Sequence, residues 1–212
     1  MNIITEFYNQ GLEHWPQTGQ HILAHQTDEE IVVYQAYKKS IARFAVENQF
    51  LGGSEYSYNR MSWIKPNFLW IMYRCGWAEK ENQESVLALW IQKKDFEAIL
   101  NEAVISSFNP QYHDSHEQWR ADLAEKEVRL QWDPDHDPYG RKQERRAIQL
   151  GLKGEMLENF GKKQISRIED ITGFVKQQKQ LLDTGRSHEL EIPLERVYKT
   201  TNEALNKRVG ID

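Results

Sequence analysis

The sequence predicts an α+β fold in a single domain, and three observations carry that expectation. Apolar runs rich in β-branched and aromatic residues, IVVYQAY at 31–37 and VLALWI at 86–91, are interspersed with helix-periodic segments without strict alternation. That pattern disfavours a doubly wound sheet and predicts a mixed or antiparallel sheet with flanking helices. The 212 residues contain no low-complexity linker, and a chain of this length buries roughly 70% of its unfolded surface around one core. VRLQW at 128–132 alternates apolar and polar residues, the period of a strand with one buried face.

Along the chain, residues 1–30 are polar, dotted with histidines and broken by Gly11, Pro16 and Gly19. They read as an extended lead-in to a domain spanning 31–212. Residues 31–37 form the clearest strand. Residues 39–50 follow as a helix with Ile41, Phe44, Ala45 and Val46 on one face, stopped by Gly52 and Gly53. Pro66 divides residues 60–77: the part before it is biased to extended backbone, and the part after it opens a helix with Phe68, Leu69, Met72 and Tyr73 as a stripe ended by Gly76. VLALWI lacks alternation and is expected to be buried on both faces. Asp95 is a candidate N-cap for a helix to Ala103, and Ser115 for one carrying Trp119 and Leu123. The strand at 128–132 runs into the turn-rich DPDHDPYG, and residues 146–152 form another short strand. Residues 154–182 read as one long helix with Ile165, Ile168, Ile171 and Val175 inward, and residues 191–198 close the domain as a strand or edge segment containing Pro193.

Composition excludes several classes. The longest apolar runs, 68–73 and 86–91, are far shorter than the ~20 residues of a membrane span. Residues 1–15 carry Glu6 and Glu13 and no basic region, so no signal peptide is expected. One cysteine, Cys75, makes neither an internal disulfide nor a cysteine zinc cluster. A soluble cytoplasmic protein with no membrane partner is the expectation; oligomeric state stays open. Net charge is −5, so contact with nucleic acid would need a local basic patch. Against a mean hydropathy of −0.76, the 7 tryptophans are the outlying number.

Three segments carry candidate chemistry. Residues 60–77 (RMSWIKPNFLWIMYRCGW) interleave Arg60, Lys65 and Arg74 with Trp63, Phe68, Trp70, Tyr73 and Trp77. Cations grip phosphate and ring faces stack on bases. Phe68, Trp70 and Met72 are assigned to the core, and the three cations either reach solvent or meet an anion, because unpaired burial is costly. In the second segment, Gln131-Trp132-Asp133 leads into acids at alternate positions that mimic a calcium loop. Pro138 stands where that loop needs a glycine, so the segment is no EF-hand and reads as a solvated turn, a looser divalent-cation site remaining open. The third, RKQERRAIQ at 141–149, is a charge run entering a strand, from which Arg146 and Gln149 are candidates to face a cleft. The pairs His21/His25 and His113/His116 lack an evident third ligand, so no metal is expected. Trp63 and Trp132 are the two tryptophans expected to line the site.

IVVYQAY, RMSWIKPNFLWIMYRCGW, VRLQWDPDHD, RRAIQLGLKG and IPLERVY, in that order from Ile31 to Tyr198, resemble the motif series of a bacterial and fungal family known as domain of unknown function 4291. The serines expected after Arg74 and Arg146 are Cys75 and Ala147 here, so neither hydroxyl is essential in this chain. A second resemblance is architectural: VYQAY followed by a helix, VLALWI followed by KKDFEAIL, and LEIPLERVY are similar to successive elements of ADP-ribosyltransferases. It implies an NAD-dependent transfer of ADP-ribose to a nucleic-acid or protein acceptor. The position gripping NAD falls on Gln35, where such enzymes carry His or Arg. Arg60, Lys65 or Arg74 would bind the pyrophosphate, Trp63 or Tyr34 would stack on a ring, and Glu191 or Glu195 would be the catalytic acid, with no motif choosing between them. The alternative is a nucleotide- or nucleic-acid-binding module that uses the same residues without bond cleavage. Both make Tyr34, Gln35, Arg60, Trp63, Lys65, Arg74, Gln131, Trp132, Asp133, Arg146 and Gln149 the candidate lining of one cleft.

Overall fold

A computed structural model describes residues 2–212. From the N-terminus run β1 (Thr5–Phe7), α1 (Tyr8–His14), β2 (Ile22–His25), β3 (Glu30–Tyr37), α2 (Lys39–Asn48), β4 (Ser62–Ile64) and α3 (Phe68–Cys75). Then come β5 (Ser85–Gln92), α4 (Lys93–Glu102), β6 (Ala103–Ile105), α5 (His116–Glu125) and the paired strands β7 (Val128–His136) and β8 (Lys142–Leu152). The C-terminal part holds α6 (Gly154–Asn159), β9 (Ile165–Asp170), α7 (Thr172–Asp183), β10 (Glu191–Pro193), β11 (Glu195–Tyr198) and α8 (Glu203–Val209).

The fold is α+β in one domain. β3, β5 and β9 form an antiparallel sheet with β5 in the middle. β4, β8, β7 and β6 form a mixed sheet in which only β6 is parallel to its neighbour. The lack of alternation in β5 has the expected cause. Leu87, Leu89 and Ile91 join one buried cluster, while Val86, Ala88 and Trp90 join a second on the other face. Among the described residues no helix is long and apolar enough to cross a membrane.

Residues 2–30, the described part of the expected lead-in over 1–30, are folded into the domain. β1 pairs with β10 and β2 with β11, and Ile22, Leu23 and Ala24 are buried. The partners lie more than 160 residues away, so no local pattern announces them. The long helix expected over 154–182 is two helices separated by a π-turn (Phe160–Gln164) and β9. The strand at 128–132 continues to His136, so the first two acids of DPDHD lie within a strand, Asp133 paired with Ala147 and Asp135 at a register shift. The turn starts at Asp137, whose Oδ1 accepts from the amides of Tyr139 and Arg141, each at 2.9 Å. α4 begins at Lys93, with Asp95 in its first turn rather than at its cap. Ser115 does cap α5, accepting from Gln118 N at 3.1 Å.

One buried ion pair ties the N-terminal segment to the β7–β8 pair. Arg145 donates to Asp135 Oδ2 through Nε at 2.8 Å and Nη2 at 2.6 Å, and through Nη1 to Pro16 O at 2.6 Å. Its guanidinium also lies over the Trp15 ring. Removing one partner leaves the other charge buried and uncompensated, which typically costs about 3–5 kcal/mol. Asp135→Ala is therefore expected to lose stability of that order in urea denaturation, whereas an exposed acid such as Glu144 should change it by less than about 0.5 kcal/mol when replaced.

Candidate functional site

The site starts from the two-residue period of the strands. In β7, Val128 and Leu130 point into the core, so Arg129, Gln131 and Asp133 share the other face. In β8, Leu150 and Leu152 go inward, so Gln149 and Gly151 face the same way as Gln131, which stands opposite Gln149. Trp63 of β4 stands opposite Gly151. Lys65 lies one residue beyond the last paired position of β4, on the face of Trp63. The result is a polar floor of Trp63, Lys65, Gln149 and Gln131, backed by the core, with Asp133 bonded to Gln149 beside it.

The wall is α3. Pro66 precedes it, and Asn67 caps it by accepting from Trp70 N at 2.6 Å. Gly76 ends it with φ +57°, a left-handed conformation that glycine adopts without strain. Trp70, Ile71, Tyr73 and Arg74 face the floor across a cleft of about 760 Å³. The third side is the end of β3, where Gln35 and Tyr37 also line the cleft. Gln35 Nε2 donates to Ser62 Oγ at 2.7 Å and Trp63 O at 3.1 Å, and its Oε1 accepts from the Tyr37 hydroxyl at 2.9 Å, so both amide hydrogens are engaged.

Lys65 is the singular group. It is 5% exposed and lines the cleft, yet among the described residues its ammonium has neither a hydrogen bond nor an ion pair. Burial, helped by the positive charge of Arg74 and opposed by Asp133, pushes its pKa down to about 8. Arg60 and Arg74 are exposed at the mouth, also without side-chain partners among the described residues. No carboxylate belongs to the lining. The nearest bonded acid is Asp133, whose Oδ2 accepts from Gln149 Nε2 at 2.6 Å.

Tyr73, His136 and Trp70 lie nearly parallel, the first two with ring centroids 3.6 Å apart. Among the described residues, Trp70 Nε1 and both ring nitrogens of His136 are buried without a hydrogen-bond partner. Trp63 lies against the bare backbone of Gly151, where a Cβ would meet the indole at 2.9 Å and Met61 Sδ at 2.7 Å.

Of the residues singled out from sequence, Gln35, Arg60, Trp63, Lys65, Arg74, Gln131 and Gln149 come together in this cleft, with Asp133 bonded to its floor. The others lie elsewhere. Tyr34 is fully buried on the opposite face of β3 from Gln35, against Phe68. Trp132 is turned toward the core and donates to Val209 O at 2.8 Å. Arg146, out of phase with Gln149, is exposed. Glu195 is fully buried and accepts from Phe68 N at 2.7 Å, and Glu191 accepts from Thr5 Oγ1 at 3.0 Å. Tyr37, Ser62 and Tyr73 were not singled out as lining. Tyr37 had a signal, since it shares Gln35's face of β3; Gln83, in a loop, had none.

The family model described as Domain of unknown function (DUF4291) matches residues 21–198, and the chain belongs to that family. No curated protein matches the chain.

Because the folded pKa of Lys65 lies below its ordinary value of 10.5, the unfolded chain binds the extra proton between about pH 8 and 10.5, and stability rises with pH across that window. Lys65→Met removes the buried charge. The variant is expected to be more stable than the parent by roughly 3 kcal/mol below pH 8, with the gap closing toward pH 10.5, as read by denaturant titration at pH 7 and pH 10.

Proposed function

We propose that this member of the DUF4291 family binds a nucleotide-class ligand between α3 and the polar floor, with phosphates at Lys65, Arg60 and Arg74 and a ring beside Trp63. The observation that carries this reading is Lys65. A buried ammonium without an acceptor is unfavourable unless something supplies one, and it opens onto a cleft whose lining holds, among the described residues, two further unpaired cations and no carboxylate. An anion entering there gains charge-assisted hydrogen bonds from all three. Phosphate alone would not need the rings; a ligand with an aromatic ring uses Trp63, Trp70 and Tyr73 as well.

Within that class, NAD is the ligand that would extend binding to catalysis. ADP-ribosyl transfer needs a negative group facing the oxocarbenium-like charge that develops as nicotinamide leaves. Glu191 and Glu195 are committed elsewhere, to Thr5 and to the start of α3. Asp133 lies outside the lining but is bonded to Gln149 of the floor, and in this reading its charge acts on the cleft from behind that amide. A nucleic-acid ligand without catalysis is the second reading, favoured by the same three cations and opposed by the net charge of −5.

Calorimetric titration separates these outcomes. The protein is expected to bind NAD, ADP-ribose or ATP, and Lys65→Ala should weaken binding at least about tenfold, the effect of one charged hydrogen bond. Unchanged binding in Lys65→Ala, or no binding of any nucleotide, would sink the proposal. Release of free nicotinamide from NAD, abolished in Asp133→Ala, marks the transfer reading. Tighter binding of a short oligonucleotide, falling steeply with salt, marks the other.

A further inference from the structure

Asp133 does more to the floor than supply a charge. A carboxylate accepts hydrogen bonds and donates none, so the atom of Gln149 facing it has to be the amide nitrogen. Gln149 Nε2 donates one hydrogen to Asp133 Oδ2 at 2.6 Å and the other to Gln131 Oε1 at 2.8 Å. That second bond fixes Gln131 in turn: its oxygen is occupied and its NH2 is left over. Gln149 Oε1 and Gln131 Nε2 are bonded to no group among the described residues. The two glutamines are directly opposed across β7 and β8, and both line the cleft. One carboxylate thereby dictates the orientation of two amides that would otherwise each be free to flip.

We propose that Gln149 and Gln131, oriented by Asp133, form a fixed acceptor–donor pair that reads the edge of the ligand's ring. This rests on the nucleotide-class reading of the cleft. The matching chemistry is a planar ring with a donor and an acceptor on adjacent positions of one edge. Nucleobases carry such an edge, and so does the carboxamide of nicotinamide. Trp63, two residues from Lys65 on the same face, supplies the flat surface on which that ring rests, held against Gly151. Phosphate at Lys65 and ring edge at Gln149 and Gln131 are then read by adjacent positions of one surface. Asp133 acts here as a positioning residue.

The test compares ribose 5-phosphate, which has no ring to read, with AMP and nicotinamide mononucleotide, by calorimetry on the full chain. The parent is expected to bind at least one of the two nucleotides about tenfold or more tightly than ribose 5-phosphate, the discrimination of one good bidentate contact. Preference for AMP identifies a nucleobase as the ring, and preference for nicotinamide mononucleotide identifies the carboxamide. Asp133→Asn should bring the ratio toward one, and Asp133→Glu, still acceptor-only, should retain most of the ratio. Gln131→Leu, which removes the donor at a half-buried site, checks the same ratio should Asp133→Asn fail to fold. A parent ratio of one, or a ratio untouched in Asp133→Asn and Gln131→Leu, overturns the inference while phosphate binding stands. If neither ribose 5-phosphate nor either nucleotide binds, the reading of the cleft fails first.

Discussion

The structure turns on the place where its two larger sheets touch. β3 and β4 meet at a single bridge, Tyr34 with Lys65, closed by Tyr34 N to Lys65 O at 2.7 Å and Lys65 N to Tyr34 O at 3.3 Å. Past it the strands part, and the gap is filled by Gln35, Ser62 and Tyr37. The bridge fixes the Lys65 backbone between the two sheets, so its side chain is directed into the cleft rather than to the outer surface. Two residues later Asn67 starts α3, and the chain changes from floor to wall. Glu195 of β11 secures that corner, accepting from Phe68 N and from Asn67 Nδ2 at 3.4 Å. Burial pushes its carboxyl well above the usual range. A residue that resemblance suggested as a catalytic acid instead joins the C-terminal strand to the wall of the cleft.

How much of the site was legible follows from strand parity. Gln131, Trp132 and Asp133 are consecutive and cannot share a face, so a reading that gathers all three into one cleft conflicts with the alternation that identified the strand. With Val128 and Leu130 inward, Trp132 goes inward with them. The same rule separates Arg146 from Gln149, and Tyr34 from Gln35. The cations of residues 60–77 were legible because they interrupt an apolar run, where an unpaired charge demands an explanation. The orientation of Gln149 was not, since it depends on a carboxylate 16 positions away in sequence.

The misread helix has a specific cause. Ile165 and Ile168 are three apart, a helical spacing, yet they occupy one face of β9. The register against β5 slips there: Ile168 opposes Leu89, while Ile165 opposes Ile91. A bulge absorbs one residue, so an odd spacing returns to the same face. Sequence periodicity alone cannot distinguish a bulged strand from one turn of helix. β1 and β2 escaped for a different reason. Each is only 3 or 4 residues long and is held by strands at the other end of the chain.

The tryptophans give an independent view of the cleft. Five indole N–H groups reach across the fold to a fixed acceptor: Trp15 to Glu195 O, Trp77 to Pro138 O, Trp90 to Glu169 Oε1, Trp119 to Ile105 O and Trp132 to Val209 O. Each acceptor is distant in sequence, so these rings cross-link segments as well as filling space. Trp63 and Trp70 alone make no such bond among the described residues, and both line the cleft. Trp70 Nε1 is buried as well, a state that costs free energy. Among the described residues the fold thus ties its indoles to acceptors everywhere except beside Lys65, a buried lysine that also has no hydrogen-bond or ion-pair partner there. The unpartnered Lys65 ammonium and Trp70 indole fall beside the same cleft. The nucleotide-class ligand proposed above would bring acceptors to both.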